Sequence, residues 1–338
     1  MRDYASSAKK GKSRYNLTKM ERATYIDFDA FRSTNPQVDG QWLINGGRNW
    51  RWSTDSLAVG QSFMVRSYLN TGVITEGVES SDAYHFYTPF KSGIWRNFGV
   101  GFNNDEVLIV EPGAEYCTTT NTAEGWHGFI VPRHLVPLDP ATRGDRARYA
   151  YTVKDKKRRS CRMRELFRSL IAGVSENLGV EGSPAARMVE AELRALLDPL
   201  LEICPGGRES PSPRGRPRLS RREIVHRAEE AIEAAANTPV HVSELAQAVG
   251  VSERSLRTAF NECYQIGPRW YLQLRQLHGV QRDLIAAGPD ETTVTDLMTR
   301  WGIWEFGRFA GIYRSHFGEL PSDTLRRRRP LISSSSAT

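Results

Sequence analysis

Cysteine is scarce in this 338-residue chain: Cys117, Cys161, Cys204 and Cys263 lie far apart and never form a C-x-x-C pair. That spacing excludes a zinc ribbon or a disulfide-built fold and fits reduced, packed thiols in the cytoplasm. No apolar run approaches the ~20 residues that span a bilayer. The basic start lacks the apolar core of a secretion signal. His85, His127 and His134 show no metal-ligand spacing, so neither a metal nor another cofactor is expected. Lysine is absent after Lys157, where every positive side chain is arginine. Arginine suits bidentate contact with guanine and phosphate, although GC-rich codon usage explains the bias equally well. The net charge of +7 and the isoelectric point near 9.3 favour an anionic partner.

The last third of the chain carries one pattern twice. The first copy, Glu244 to Phe260, reads ELAQAVGVSERSLRTAF, and the second, Asp296 to Tyr313, reads DLMTRWGIWEFGRFAGIY. Each is a short amphipathic helix, a glycine, one aliphatic plug and a second amphipathic helix, the layout of a helix-turn-helix. In the first copy Leu245, Ala246 and Val249 face inward, Gly250 turns the chain and Ser252 caps the next helix. The inward stripe of that helix is Leu256, Ala259 and Phe260. Its outward residues Arg254, Arg257, Thr258 and Asn261, with Ser252, are placed to reach bases or phosphates. In the second copy Thr293 and Asp296 form a capping box, Gly302 turns the chain and Ile303 plugs the corner. Phe309, Ile312 and Tyr313 face inward; Phe306, Gly307, Arg308, Gly311 and Arg314 face out. The turn glycines are 52 residues apart. Trp270 to Ala286 between them reads as a helix of ~18 residues, about 27 Å long. That length approaches the ~34 Å between successive major grooves on one face of DNA.

Residues 221–329 resemble the tandem helix-turn-helix domain of the AraC/XylS family of bacterial transcription regulators. The resemblance rests on Ala246 to Ser252, on IGPRWYLQLRQLHGV (Ile266 to Val280), and most specifically on WGIWEFGRFAGIYRSHFGELPSDTLR (Trp301 to Arg326). By position, Arg254, Arg257 and Thr258 match the base-reading face of the first unit and Arg308 that of the second. Three residues depart from the pattern. Trp304 replaces a small N-capping residue, Gly311 a longer base-reading side chain, and Gln265 a glycine. The resemblance implies double-stranded DNA, a small-molecule effector and RNA polymerase as partners, and a homodimer. Its XylS-type members respond to aromatic carboxylates; other branches respond to amines, sugars or urea-type metabolites.

The N-terminal half reads as short strands between Gly, Asn and Pro turns, a sandwich or barrel. The resemblance implies a cupin-like jelly roll for this effector domain. An interior lined by Tyr68, His85, Tyr87, Trp95 and Trp126, with Arg66 or Arg96 as the charge, would suit a planar or anionic ligand. Residues 160–204 carry two apolar helical stripes, a hairpin that either dimerises or covers its own barrel. Pro199 is expected to kink or end the second helix.

The expected fold is α+β: a basic disordered arm (1–20), a cupin-like domain (21–158), a helical hairpin (159–204), a flexible Pro/Gly/Arg linker (205–220), the tandem helix-turn-helix domain (221–329) and a tail (330–338). The expected function is a cytoplasmic, ligand-responsive, DNA-binding activator of a catabolic operon rather than an enzyme. The alternatives are a cupin-type enzyme fused to a DNA-binding domain and a constitutive dimeric DNA binder.

Overall fold

The computed structural model describes residues 21–25, 39–46, 50–90, 95–136, 150–154, 159–172, 183–201, 219–235, 239–287 and 291–327. The expected arm at 1–20, the tail at 330–338 and nearly all of the linker lie outside them.

The N-terminal half is two antiparallel sheets. One has the order β1 (Glu21–Tyr25), β3 (Trp52–Val59), β4 (Ser62–Leu69), β11 (Glu124–Pro132), β6 (Ala83–Pro89), β9 (Glu106–Val110), β12 (Ala150–Lys154). The other has the order β2 (Asp39–Ile44), β5 (Val73–Val78), β10 (Glu115–Thr120), β7 (Trp95–Asn97), β8 (Val100–Phe102). Successive strands cross repeatedly from one sheet to the other, as in the expected jelly-roll sandwich.

Alternation along each strand gives three faces their content. Between the sheets lie Trp52, Leu69, Leu108, Val110 and Trp126 from the larger sheet and Val73, Trp95, Phe102 and Tyr116 from the smaller. The outer face of the larger sheet buries Met64, Phe86, Ile109 and Phe129 under two helices, α1 (Arg159–Ala172) and α2 (Pro184–Leu201). Met163 and Phe167 of α1 and Leu193, Leu197 and Leu200 of α2 complete that core. The hairpin therefore covers the sandwich of its own chain. Pro199 does not end α2, which runs on to Leu201; a proline in the last turn forfeits one backbone hydrogen bond near a terminus that is about to open anyway.

The same alternation corrects the expected pocket. Arg66 and Tyr68 share the parity of Met64 and point to the helix-covered face, where the Arg66 guanidinium lies 5.0 Å from the centre of the Phe90 ring. Arg96 has the opposite parity to Trp95. It leaves the interior and its Nη1 donates to the Gly99 carbonyl at 3.0 Å. His85, Tyr87, Trp95 and Trp126 do face inward.

The C-terminal domain is all helix: α3 (Arg221–Ala234), α4 (Val242–Val249), α5 (Glu253–Tyr264), α6 (Pro268–Ala286), α7 (Val294–Arg300), α8 (Phe306–Phe317) and α9 (Pro321–Arg326). Each half has its own core. Leu245, Val249, Leu256, Phe260 and Leu274 form the first, and Leu297, Met298, Ile303, Phe309 and Tyr313 the second. Helix α6 contributes to both. Among the described residues no helix is long and apolar enough to cross a membrane.

Candidate nucleic-acid interface

Helices α4 and α5 make the first helix-turn-helix. Gly250 adopts φ 76°, the left-handed conformation that glycine enters at least cost. Ser252 caps α5 by accepting the Ser255 N–H at 3.1 Å, so its hydroxyl is already occupied. Arg254, Arg257 and Asn261 stand exposed on the outer face of α5. Thr258, half-buried beside them, donates its hydroxyl to the Arg254 carbonyl at 2.9 Å.

Helices α7 and α8 make the second. The capping box is present: Thr293 accepts the Asp296 N–H, and the Asp296 carboxylate accepts the Thr293 N–H. Gly302 turns the chain at φ 64°. Glu305 occupies the N-cap of α8 without a side-chain cap. Arg308 and Arg314 are exposed, and Arg308 donates to Glu305 at 2.8 Å. Phe306 is half-buried against the second core instead of fully exposed. Trp304, by contrast, is 72% exposed at the turn.

Helix α6 sets the spacing of the two units. Its 19 residues span about 28 Å. A cleft of about 750 Å³ separates them, with Arg269, Arg282, Arg308 and Trp304 among its lining.

Behind this surface the sandwich grips both units, a contact that the sequence did not announce. On the outer face of β5, Glu76 accepts the Tyr264 hydroxyl at 2.6 Å and the Tyr271 hydroxyl at 2.8 Å. Those rings stack at 4.8 Å. Tyr264 ends the first recognition helix and Tyr271 lies in the first turn of α6. Thr119 donates to the Cys263 carbonyl at 3.2 Å, and Trp270 donates its indole N–H to Asn45 at 3.1 Å. Gln265, in the left-handed conformation at φ 58°, accepts from the Asn121 amide at 2.7 Å. Arg222 of α3 lies 3.8 Å from the Phe98 ring centre and 3.7 Å from Glu115. At the second unit, His278 and His316 both approach the Ile44 carbonyl. Burial lowers them to about 3 and about 4, so both are neutral donors near pH 7. Cys117 and Cys263 are packed into the same contact, and burial pushes both thiols up, away from reactivity.

The contact includes an excess of acid. Glu229 of α3 is raised well above its ordinary value by burial, then by the charge of Glu76 and a hydrogen bond to it. The Glu229 carboxyl is therefore harder to ionise in this contact than in water, with the charge of Arg275 opposing the shift.

Inside the sandwich, Glu79 accepts the Tyr87 hydroxyl at 2.8 Å and stands 3.2 Å from His85 Nδ1. Burial lowers the His85 pKa, the Glu79 charge opposing it. Among the described residues no group of three His, Cys, Asp or Glu is placed to hold a metal ion.

A family model described as a helix-turn-helix domain matches residues 245–327. A probable thc operon regulatory protein of Rhodococcus erythropolis is 39% identical over 103 residues, 30% of this chain and 31% of that protein. XylDLEGF operon transcriptional activator 1 of Pseudomonas putida is 29% identical over 263 residues, 76% of each chain. Among solved structures, the AraC-like transcriptional activator CuxR aligns over 83% of this chain and all of its own, at 16% identity and a TM-score of 0.38. A probable AraC family transcriptional regulator from Rhodopseudomonas palustris aligns over 32% of this chain and 98% of its own, at 35% identity and a TM-score of 0.29.

Proposed function

We infer the working of this molecule from one premise: the chain belongs to the AraC/XylS family of DNA-binding transcription regulators. On our reading it is a cytoplasmic, effector-responsive activator of an operon. The DNA-binding unit is 221–329, and the sandwich with its helical hairpin, 21–204, is a sensor with no catalytic role. The observation that carries the reading is the pair of arginine-bearing helix faces, α5 and α8, mounted on one ~28 Å helix. That frame fits two successive major-groove segments on one face of DNA.

Phosphate contacts supply most of the affinity and arginine-to-guanine contacts the sequence preference. Arg308 has to exchange Glu305 for DNA, an exposed pair that is worth little and lets go readily. The effector enters the sandwich and biases the contact at Glu76, whose strand also supplies Val73 to the interior. A dimer would occupy two half-sites and place its activating surface beside RNA polymerase.

The test is Arg257→Ala. It should weaken binding at the preferred site by about 1–3 kcal/mol, roughly 5- to 150-fold, and relax the choice of base at one position. A binding profile identical to that of the unmodified protein would remove Arg257 from the base-reading face.

A further inference from the structure

We propose that Glu124, Trp95 and Asn97, grouped around Trp126 inside the sandwich, anchor the effector, and that this effector is a small planar aromatic compound bearing an uncharged amide-type group. The proposal rests on the sensor reading above and adds the ligand's chemistry.

Glu124 and Trp126 lie two residues apart on β11 and share its inward face; Trp95 and Asn97 do the same on β7. The Trp95 and Trp126 rings meet edge to face at 5.3 Å, which joins the two pairs into one patch. Trp52 adds a third ring, 5.9 Å from Trp126. Glu124 is 2% exposed, and Asn97 and Trp95 are 5% exposed. Each has a polar atom with no protein hydrogen-bond partner among the described residues: Glu124 Oε2, Asn97 Oδ1 and Trp95 Nε1. Other partners fix the rest of these side chains. Thr120 hydrogen-bonds Glu124, and the Asn97 amide nitrogen donates to the Ala150 carbonyl at 3.2 Å.

Buried polar atoms without partners are costly, so they mark where a ligand gains most. The three atoms differ in kind. Trp95 Nε1 only donates, and Asn97 Oδ1 only accepts. Glu124 accepts when ionised and can also donate when protonated, the form that burial favours by raising its carboxyl well above the ordinary range. An amide is complementary to that set. Its carbonyl takes the indole N–H, its N–H groups go to the two side-chain oxygens, and an attached ring lies among the tryptophans.

A carboxylate is not complementary. The two arginines expected to neutralise one, Arg66 and Arg96, leave the interior on outer faces of the sheets. A buried anion would face Glu124 with no described cation beside it, a costly arrangement.

The test compares benzamide, benzylamine and benzoate on the full chain, by thermal shift and by quenching of tryptophan fluorescence. Benzamide should bind at least tenfold more tightly than the other two. Glu124→Leu should weaken benzamide at least tenfold. Glu124→Gln, which keeps a donor and an acceptor, should stay within about threefold and shows that the fold survives. A preference for benzoate or benzylamine, or an undiminished benzamide response in Glu124→Leu, overturns the amide assignment while the sensor reading stands. No response to any of the three overturns the assignment too. If sugars and ureas in the same screen also fail, the sensor reading falls with it.

Discussion

Glu76→Ala should release the sandwich from the first helix-turn-helix unit. The substitution leaves two fully buried hydroxyls, those of Tyr264 and Tyr271, without their acceptor. Each orphaned donor costs about 1–3 kcal/mol, so the contact should weaken by roughly 2–6 kcal/mol. Hydrogen exchange in β5 and at the α5–α6 junction should rise together. DNA affinity should no longer respond to anything bound in the sandwich. Glu76→Gln keeps one acceptor oxygen and should fall in between.

Raising the pH should act on the same contact. The folded-state pKa of Glu229 lies above its unfolded value, so the folded chain holds a proton that the unfolded chain releases above the ordinary carboxylate range. Stability therefore falls as pH climbs from there until Glu229 ionises in the folded protein, by at most about 1.4 kcal/mol per pH unit. Glu229→Gln should flatten that slope. If Glu76→Ala leaves both the exchange pattern and the DNA response unchanged, the contact is packing without coupling.

Gly302→Ala should be far more damaging than Gly250→Ala, although both glycines turn a helix-turn-helix at similar positive φ. A Cβ at Gly250 meets nothing within 4 Å. Only the left-handed backbone is then strained, at about 1–2 kcal/mol. A Cβ at Gly302 would stand 2.0 Å from Cγ of Pro239, in the segment that leads into α4. A proline ring has little room to yield, and overpacking adds about 1–3 kcal/mol. The total is roughly 2–5 kcal/mol, and the damage falls where the second unit touches the first. Denaturant unfolding should rank the two variants in that order, and Gly302→Ala should also lose DNA affinity through the altered angle between units. Equal stability losses would mean that the Pro239 contact yields freely.

The C-terminal half was legible because its signals are local. Apolar spacing of 3.6, a glycine at each turn and capping residues at fixed offsets are all written within twenty residues, and α4 to α8 fall where they point. The sandwich was legible only as a class. In QSFMVRSYL the run Phe63, Met64, Val65 is apolar on both faces, so alternation could not say which side Arg66 faces. Pairing with β3 and β11 decides it. The domain contact was not legible at all. Nothing local distinguishes Tyr264 and Tyr271 from ordinary core aromatics, and Glu76 is one acid in VITEGV. Their meeting depends on a tertiary approach that spans 188 and 195 residues of chain. A lone carboxylate on a short strand that is mostly apolar was the one available hint. Glu124 carried less, because nothing local marks it as inward-facing.

The central claim is that one chain reads two segments of DNA with α5 and α8 held a fixed distance apart. Selection of bound sequences from a random duplex library with the purified protein tests it most directly. The prediction is a motif with two conserved elements about 10 base pairs apart. Arg257→Ala should blur one element and Arg308→Ala the other. A single conserved element, insensitive to Arg308→Ala, or no enrichment at all, would contradict the account.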